Sequence, residues 1–345
     1  MNSWSEFLAL QGAVFQNHET HSFGESAAQR DPSDGRTLMV DLSHIGVIEA
    51  RGPDALTFLA GQFTNDLRQL DANQTQLNGY CNPQGRLIAI LRVHLYEGGL
   101  LLHAPRSLLE GLLKRLRMFV LRAQVSLDDA SDRWVRLGLI GPHAAALLSE
   151  GLGLSAPSAG AFIRNSEAMV LSVTGPVPRF EVLVQPVLAQ KLWMRWRKDA
   201  ISVGAGAWRL LDIRSGLPEL APATSQEFIP QMLNLQALSG INFKKGCYPG
   251  QEIVARMQYL GKLKRRMYVG HCADAALAAP GEPLYQGGQD TEHKVGVVVS
   301  AEASPNGGSE LLAVVEITAL GEIRLKGTAG PVVILADPPY TLGSG

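Results

Sequence analysis

The chain is expected to be an α+β protein, two ferredoxin-like modules followed by a small all-β domain. Three observations carry that expectation. First, Gly52-Pro-Asp-Ala-Leu-Thr-Phe-Leu59 is echoed by Gly141-Pro-His-Ala-Ala-Ala-Leu-Leu148. Second, each copy sits in the same order of patterns (strand, helix, hairpin, helix), repeated at a period of about 80–90 residues, which fits two β-α-β-β-α-β units. Third, after about residue 264 the helical period vanishes and short apolar runs alternate with Gly, Pro and Asn turns. That text suits a small barrel or sandwich.

Taken in order, residues 1–35 show no strong pattern and are expected to be loosely held. A strand over 45–50 leads into the first Gly-Pro turn and short helix. Residues 87–96 and 100–103 form a hairpin around Glu97-Gly-Gly. In 107–122, Leu109, Leu112, Leu113, Leu116, Phe119 and Val120 share one helical stripe. The second copy runs through a strand at 135–140, a hairpin of 169–173 with 180–184, and a helix over 187–201 that carries Leu188, Leu192 and Trp193. Strands follow at 267–271, 295–301, 311–318, 323–325 and 332–335, with Asn306-Gly-Gly and Leu320-Gly321 as hairpin turns. The expected divisions are 1–130, 131–243 and 244–345, and the tail from Pro338 is expected to be loose.

Composition narrows the class. With 345 residues, 46% apolar and 18% charged, the chain reads as an ordinary globular protein of two or three domains. It has neither an apolar run of membrane-spanning length nor a basic-then-apolar leader, so a cytoplasmic location without membrane contact is expected. Three scattered cysteines do not make a disulfide framework. A net charge of −1 argues against direct nucleic-acid binding. Locally, residues 244–266 carry seven Lys or Arg (244, 245, 256, 262, 264, 265 and 266) against Glu252. Such a segment either attracts a polyanion or is a solvated basic face.

The most informative stretch is Lys245-Gly-Cys-Tyr-Pro-Gly-Gln-Glu252. Pro249 suits a first helical position, and Glu252 would lie in the first turn. Cys247 then sits between a lysine pair and a helix start, surroundings that favour thiolate over thiol. A thiolate attacks electrophiles or ligates soft metals, so Cys247, with Lys245 beside it, is the candidate catalytic centre. Cys81 and Cys272 lie in apolar text and read as small buried residues.

The octapeptide resembles the signature of the YgfZ family of folate-binding proteins, relatives of the Iba-type mitochondrial iron–sulfur assembly factors and, more distantly, of glycine-cleavage aminomethyltransferase. Arg214-Ser-Gly-Leu-Pro218, Phe228-Ile-Pro-Gln231, Asn234-Leu-Gln236, Val254-Ala-Arg256 and Tyr259-Leu-Gly-Lys-Leu-Lys-Arg265 are similar to the family pattern at the right spacing. The resemblance implies two ferredoxin-like modules and a β-barrel in a three-lobed ring around a tetrahydrofolate site. It implies folate contacts at Glu181, within Arg179-Phe-Glu181, and at Arg214. It further places Tyr248, Gln251, Glu252 and Arg256 as orienting or folate-binding groups. A carboxylate can accept paired donors from a pterin edge, and arginine suits a glutamate tail.

The function so implied is a tetrahydrofolate-binding accessory protein. It would assist the assembly or repair of iron–sulfur enzymes, including tRNA-modifying ones. Cys247 would serve as a transient ligand to a cluster shared with a carrier or client enzyme, since one cysteine cannot hold a cluster alone. Where the aminomethyltransferase carries paired aspartates, this chain has Ala89 and Ile90, neither of which can act as a base. Two other readings stay open, a folate-dependent one-carbon transferase and a protein-binding module acting through the basic segment. The chain contains no Walker loop, dinucleotide fingerprint or Cys-x-x-Cys pair. His18 and His21 lie in the start that is expected to be loosely held, and His103, His143, His271 and His293 are scattered at no ligand spacing.

Overall fold

The computed structural model describes residues 3–17, 19–273, 278–287, 293–319 and 321–342. His18 and Leu320 of the expected Leu320-Gly321 turn lie outside the described residues, as do residues 343–345 of the tail. The first sheet has the order Gln76–Cys81, Leu87–Tyr96, Gly99–Pro105, Ile45–Arg51, Ser126–Asp129, all antiparallel. Removing the added edge strand Gln76–Cys81 leaves a ferredoxin-like sheet. The helix Arg106–Met118 lies on it through Leu109, Leu112, Leu113 and Leu116, the stripe read from the sequence.

The second sheet runs Phe162–Arg164, Ala168–Ser172, Arg179–Val184, Val135–Ile140, Leu38–Asp41, Ile201–Val203. Its helices are Ala144–Leu152 and Pro186–Trp196. Leu38–Asp41 is inserted between the first and last strands of this module, antiparallel to one and parallel to the other. The chain therefore does not divide at 130, because a segment that precedes the first module completes the second sheet. All four residues of that strand are buried, so its apolar side chains are held from both faces.

The N-terminal segment is not loose. In the helix Ser3–Leu10, Trp4 and Leu8 are buried; Trp4 packs edge-on against Trp193 at 5.8 Å between ring centroids. Trp4 Nε1 and Thr20 Oγ1 donate to the buried Asp41 carboxylate at 2.9 and 2.7 Å. Short polar text hid this anchoring, which two tryptophans and one aspartate supply. The tail is likewise tied, with Tyr340 Oη donating to the Gly216 carbonyl at 2.9 Å.

The C-terminal lobe is a closed barrel in the order Arg265–Cys272, Ser309–Glu316, Lys294–Ala303, Pro283–Gln286, Ile323–Leu325, Val332–Ala336. Pro283–Gln286 is a strand the sequence pattern did not reveal. Gly307 and Gly308, at φ 94° and 73°, form the expected turn after Asn306. One apolar cluster joins the lobes. Cys81, Leu87 and Ile90 of the first module meet Leu233, Leu235 and Val254 of the connector and Met267, Leu312 and Val314 of the barrel. Val47 and Leu101 of the first sheet meet Phe162, Met169 and Leu183 of the second.

Candidate functional site

The octapeptide forms a loop followed by the helix Gln251–Tyr259. That helix starts two residues later than expected. Gly250, not Pro249, adjoins it, with φ 80° in the left-handed region. The position demands glycine for a second reason. A Cβ on Gly250 would stand 2.5 Å from the Asn82 carbonyl oxygen and 2.6 Å from Gly85 Cα. The motif helix is thus pressed against the Asn82–Gly85 turn of the first module, where Asn82 Oδ1 accepts from the Gln84 and Arg86 amides at 3.0 Å.

Lys245 is buried and directed into the first module. Its Nζ donates to the Ala60 carbonyl at 2.5 Å and to the Phe63 carbonyl, at the end of the helix Ala55–Ala60. It also lies 4.8 Å from the Tyr248 ring centroid. Burial lowers its pKa to about 8, against the opposing attraction of Asp66 and Cys247. Lys245 therefore anchors the loop, and Tyr248 is packed beneath it. Cys247 and Gly246 project outward, with Cys247 exposed and open space around Gly246. Gln251 Nε2 reaches back to the Lys245 carbonyl at 3.4 Å. Glu252 and Arg256 are exposed on the helix.

Behind this loop lie two adjoining hollows that share Leu77, Arg92 and Leu217. The outer one, ≈ 690 Å³, includes Asn65, Gln236, Phe243, Lys244 and Tyr259 in its wall. This volume falls in the usual range for small-molecule sites, roughly 300–1,000 Å³. The inner one, ≈ 110 Å³, is walled by Ile90, Trp208 and Pro218 with the polar groups Arg92, His103, Arg136, Glu181, Asp212 and Glu219. Glu181 stands opposite Gly138 in the sheet, and a side chain on Gly138 would strike Trp208 at 2.8 Å.

Electrostatically, the inner hollow is a low-dielectric site crowded with charge. Arg136 Nη2 pairs with Glu181 Oε1 at 2.5 Å, yet Arg136 is only 3% exposed and its Nε and Nη1 find no protein acceptor. Arg179 pairs with Asp212 at 2.8 Å and lies over the Trp208 ring at 4.9 Å. Burial raises the pKa of Asp212. Glu219 is raised to about 7, chiefly by burial; Arg209 and Arg136 oppose the shift, while Asp212 and Glu19 add to it. Buried charges are expensive unless paired, so such a constellation makes this hollow the candidate binding site.

Of the expected folate contacts, only Glu181 lines this space. Arg214 faces away: it ends the helix Gly206–Arg214 and pairs with Glu310 at 2.8 Å and Asp31 at 3.1 Å, joining module to barrel. Tyr248, Gln251, Glu252 and Arg256 belong to the motif loop and helix and line neither hollow. Cys247 lies outside both walls, although Phe243, Lys244 and Tyr259, which bracket it in sequence, line the outer one. In the basic segment, Arg265 and Arg266 are paired with Glu316 and Asp337, which leaves Lys244, Arg256, Lys262 and Lys264 exposed. The sequence reading missed Arg92, His103, Arg136, Asp212 and Glu219. A charge inside an apolar strand, as in Leu91-Arg92-Val93 or Val135-Arg136-Leu137, was the signal available.

Two ferredoxin-like modules that share a polar chamber, with a barrel packed against them, define a protein of the aminomethyltransferase T fold. The crystal structure of glycine cleavage system aminomethyltransferase T from Bartonella henselae superposes with a TM-score of 0.79, covering 96% of this chain and 95% of that one at 18% identity. The GCVT N-terminal domain family matches residues 34–238. Full-length relatives narrow this further. The tRNA-modifying protein YgfZ of Serratia proteamaculans is 31% identical over 321 residues, 91% of this chain and 96% of its own. YgfZ proteins of Yersinia enterocolitica and Colwellia psychrerythraea are 30% and 29% identical, over 88% and 89% of this chain and 92% and 94% of theirs. The chain belongs to the YgfZ family. No helix among the described residues is long and apolar enough to cross a membrane.

Proposed function

We propose that this protein binds a tetrahydrofolate in the paired hollows and uses the Cys247 thiol to assist iron–sulfur enzymes, among them enzymes that modify tRNA. The observation that carries the folate half is the buried Arg136–Glu181 pair with its spare donors. A pterin presents paired donors beside ring acceptors. Glu181 would take the donors, Arg136 Nε and Nη1 would meet the acceptors, and Trp208, Ile90 and Leu77 would cover the ring. The donor set and the apolar walls both fit such a group. Bound tetrahydrofolate supplies a carrier for one-carbon units; this chain's residues bind it, orient it and limit its contact with water.

The thiol half rests on the loop that Lys245 anchors and that leaves Cys247 facing outward. Among the described residues, no group of three or more His, Cys, Asp or Glu is arranged to hold a metal ion. The thiol would therefore share a cluster's iron with a partner's cysteines, briefly, as a cluster passes to or from a client. One-carbon transfer by the chain itself is the weaker reading, because Ala89 and Ile90 stand where the resemblance to the aminomethyltransferase leads one to expect paired aspartates. A binding-module role through Lys244, Lys262 and Lys264 has only the exposed charges in its favour.

Tryptophan fluorescence, with Trp208 in the chamber wall, should change saturably on adding tetrahydrofolate. Anaerobic reconstitution with an iron–sulfur carrier should give a shared visible chromophore that Cys247→Ala removes. A chromophore indifferent to that substitution counts against the thiol's role.

A further inference from the structure

We propose that His103 is a positioning residue for this chamber: it fixes the roll of the Arg136 guanidinium so that Glu181 and the spare Arg136 donors face the ligand together. The inference rests on the folate reading above and adds to it the group that orients the site. Arg136 Nη2 donates to His103 Nδ1 and also pairs with Glu181 Oε1. That nitrogen is thereby held between the imidazole and the carboxylate. The Nε proton and the two on Nη1 remain, and they are the ones without a protein acceptor.

The tautomer follows from donor chemistry, because a guanidinium only donates. His103 Nδ1 must accept, so its proton is on Nε2. From there it is given to His94 Nδ1 at 3.0 Å, which puts the His94 proton on Nε2, where it is buried without a partner. The His94 ring lies between His103, at 4.8 Å, and Phe162, at 4.7 Å. Both histidines come from the first module's hairpin, whereas Arg136 and Glu181 come from the second sheet. The orientation of the site is thus set across the joint between modules.

Burial first, and the neighbouring guanidinium groups after it, keep both rings neutral. Burial depresses the His103 pKa most, with Arg136, His94 and Arg92 adding to it; for His94 burial is followed by Arg136, Arg164 and Arg92. Neither histidine is then a switch in the neutral range. They act as a fixed acceptor relay, and protonating His103 would cost the Arg136 contact.

Two measurements test this. The first needs no ligand. Nitrogen-15 NMR of histidine-labelled protein, with signals assigned by His94→Asn and His103→Asn, should show the His94 and His103 rings both as Nε2–H tautomers, unresponsive between about pH 5 and pH 8, and the His103 signal perturbed by Arg136→Lys. A charged His103 ring, or the Nδ1–H tautomer on His103, overturns the proposal. The second is tetrahydrofolate titration. His103→Phe should weaken binding about tenfold, the usual effect of losing a hydrogen bond to a charged group. His103→Asn, whose Oδ1 can take the place of Nδ1, should stay within about threefold by the same scale. Combining His103→Phe with Arg136→Lys should cost no more than the larger single change, because the two act through one contact. A His103→Phe protein that binds like the wild type, or fully additive losses, overturns the proposal. Should the wild type bind no tetrahydrofolate, the folate reading fails and takes this inference with it. The NMR result separates that outcome from a misplaced His103.

Discussion

Gly85 and Gly250 meet face to face where the first module's hairpin turn supports the motif helix, with positive φ values of 70° and 80°. Adding a side chain to either drives it into the other's segment, since a Cβ on Gly85 would sit 3.0 Å from Ile253 Cβ and 3.2 Å from the Gly250 carbonyl. Gly250→Ala should cost roughly 1–3 kcal/mol from its backbone conformation, with the steric contact adding to that. Urea unfolding should show the loss as a lower midpoint at unchanged slope.

The thiols should separate cleanly by accessibility. Cys81 and Cys272 are 0% exposed, whereas Cys247 is exposed. Burial also pushes the Cys81 pKa up to about 12. Native protein should take up one maleimide, at Cys247, and Cys247→Ala should take up none until it is unfolded. Mass spectrometry of labelled protein reads this directly.

Lys245→Met should destabilise the fold, because the Ala60 and Phe63 carbonyls lose their buried donor. The expected loss is roughly 1–3 kcal/mol at neutral pH. The wild type should also gain stability between about pH 8 and 10.5. In that interval the unfolded chain keeps a proton on this lysine that the native protein has released, so stability rises with pH. The variant should lack that part of the rise in a series of urea titrations.

Glu219 gives the opposite slope in a lower window. Its pKa is raised from 4.5 to about 7, so between those values the native protein binds the extra proton. Stability should fall as pH rises through the window and level off above it, by at most about 3 kcal/mol. Glu219→Gln should flatten the fall and be the more stable protein at pH values above about 7.

Much of the fold was legible because its signals are periodic. The stripe from Leu109 to Leu116 and the two Gly-Pro turns gave the repeat, and Asn306-Gly-Gly gave a barrel hairpin. What stayed hidden depends on contacts far apart in sequence. The insertion of Leu38–Asp41 into the second sheet leaves no local mark. Nor does the anchoring of Trp4 on Asp41 and Trp193. The Cys247 loop was visible in its octapeptide, but the direction of Lys245 was not, since Ala60 and Phe63 lie some 180 residues away. Arg214 carried a family-like motif and still turned to Glu310, whereas Arg136, in an unremarkable strand, faces the chamber.

The central claim is that a tetrahydrofolate binds against Glu181. Anaerobic calorimetric titration of the wild type and of Glu181→Gln tests it most directly. The substitution keeps the shape of the side chain and replaces one acceptor oxygen with a donor. Saturable binding of one tetrahydrofolate per chain, weakened at least about tenfold in Glu181→Gln, is the expected result. No saturable heat with the wild type, or equal affinity in the two proteins, would contradict it.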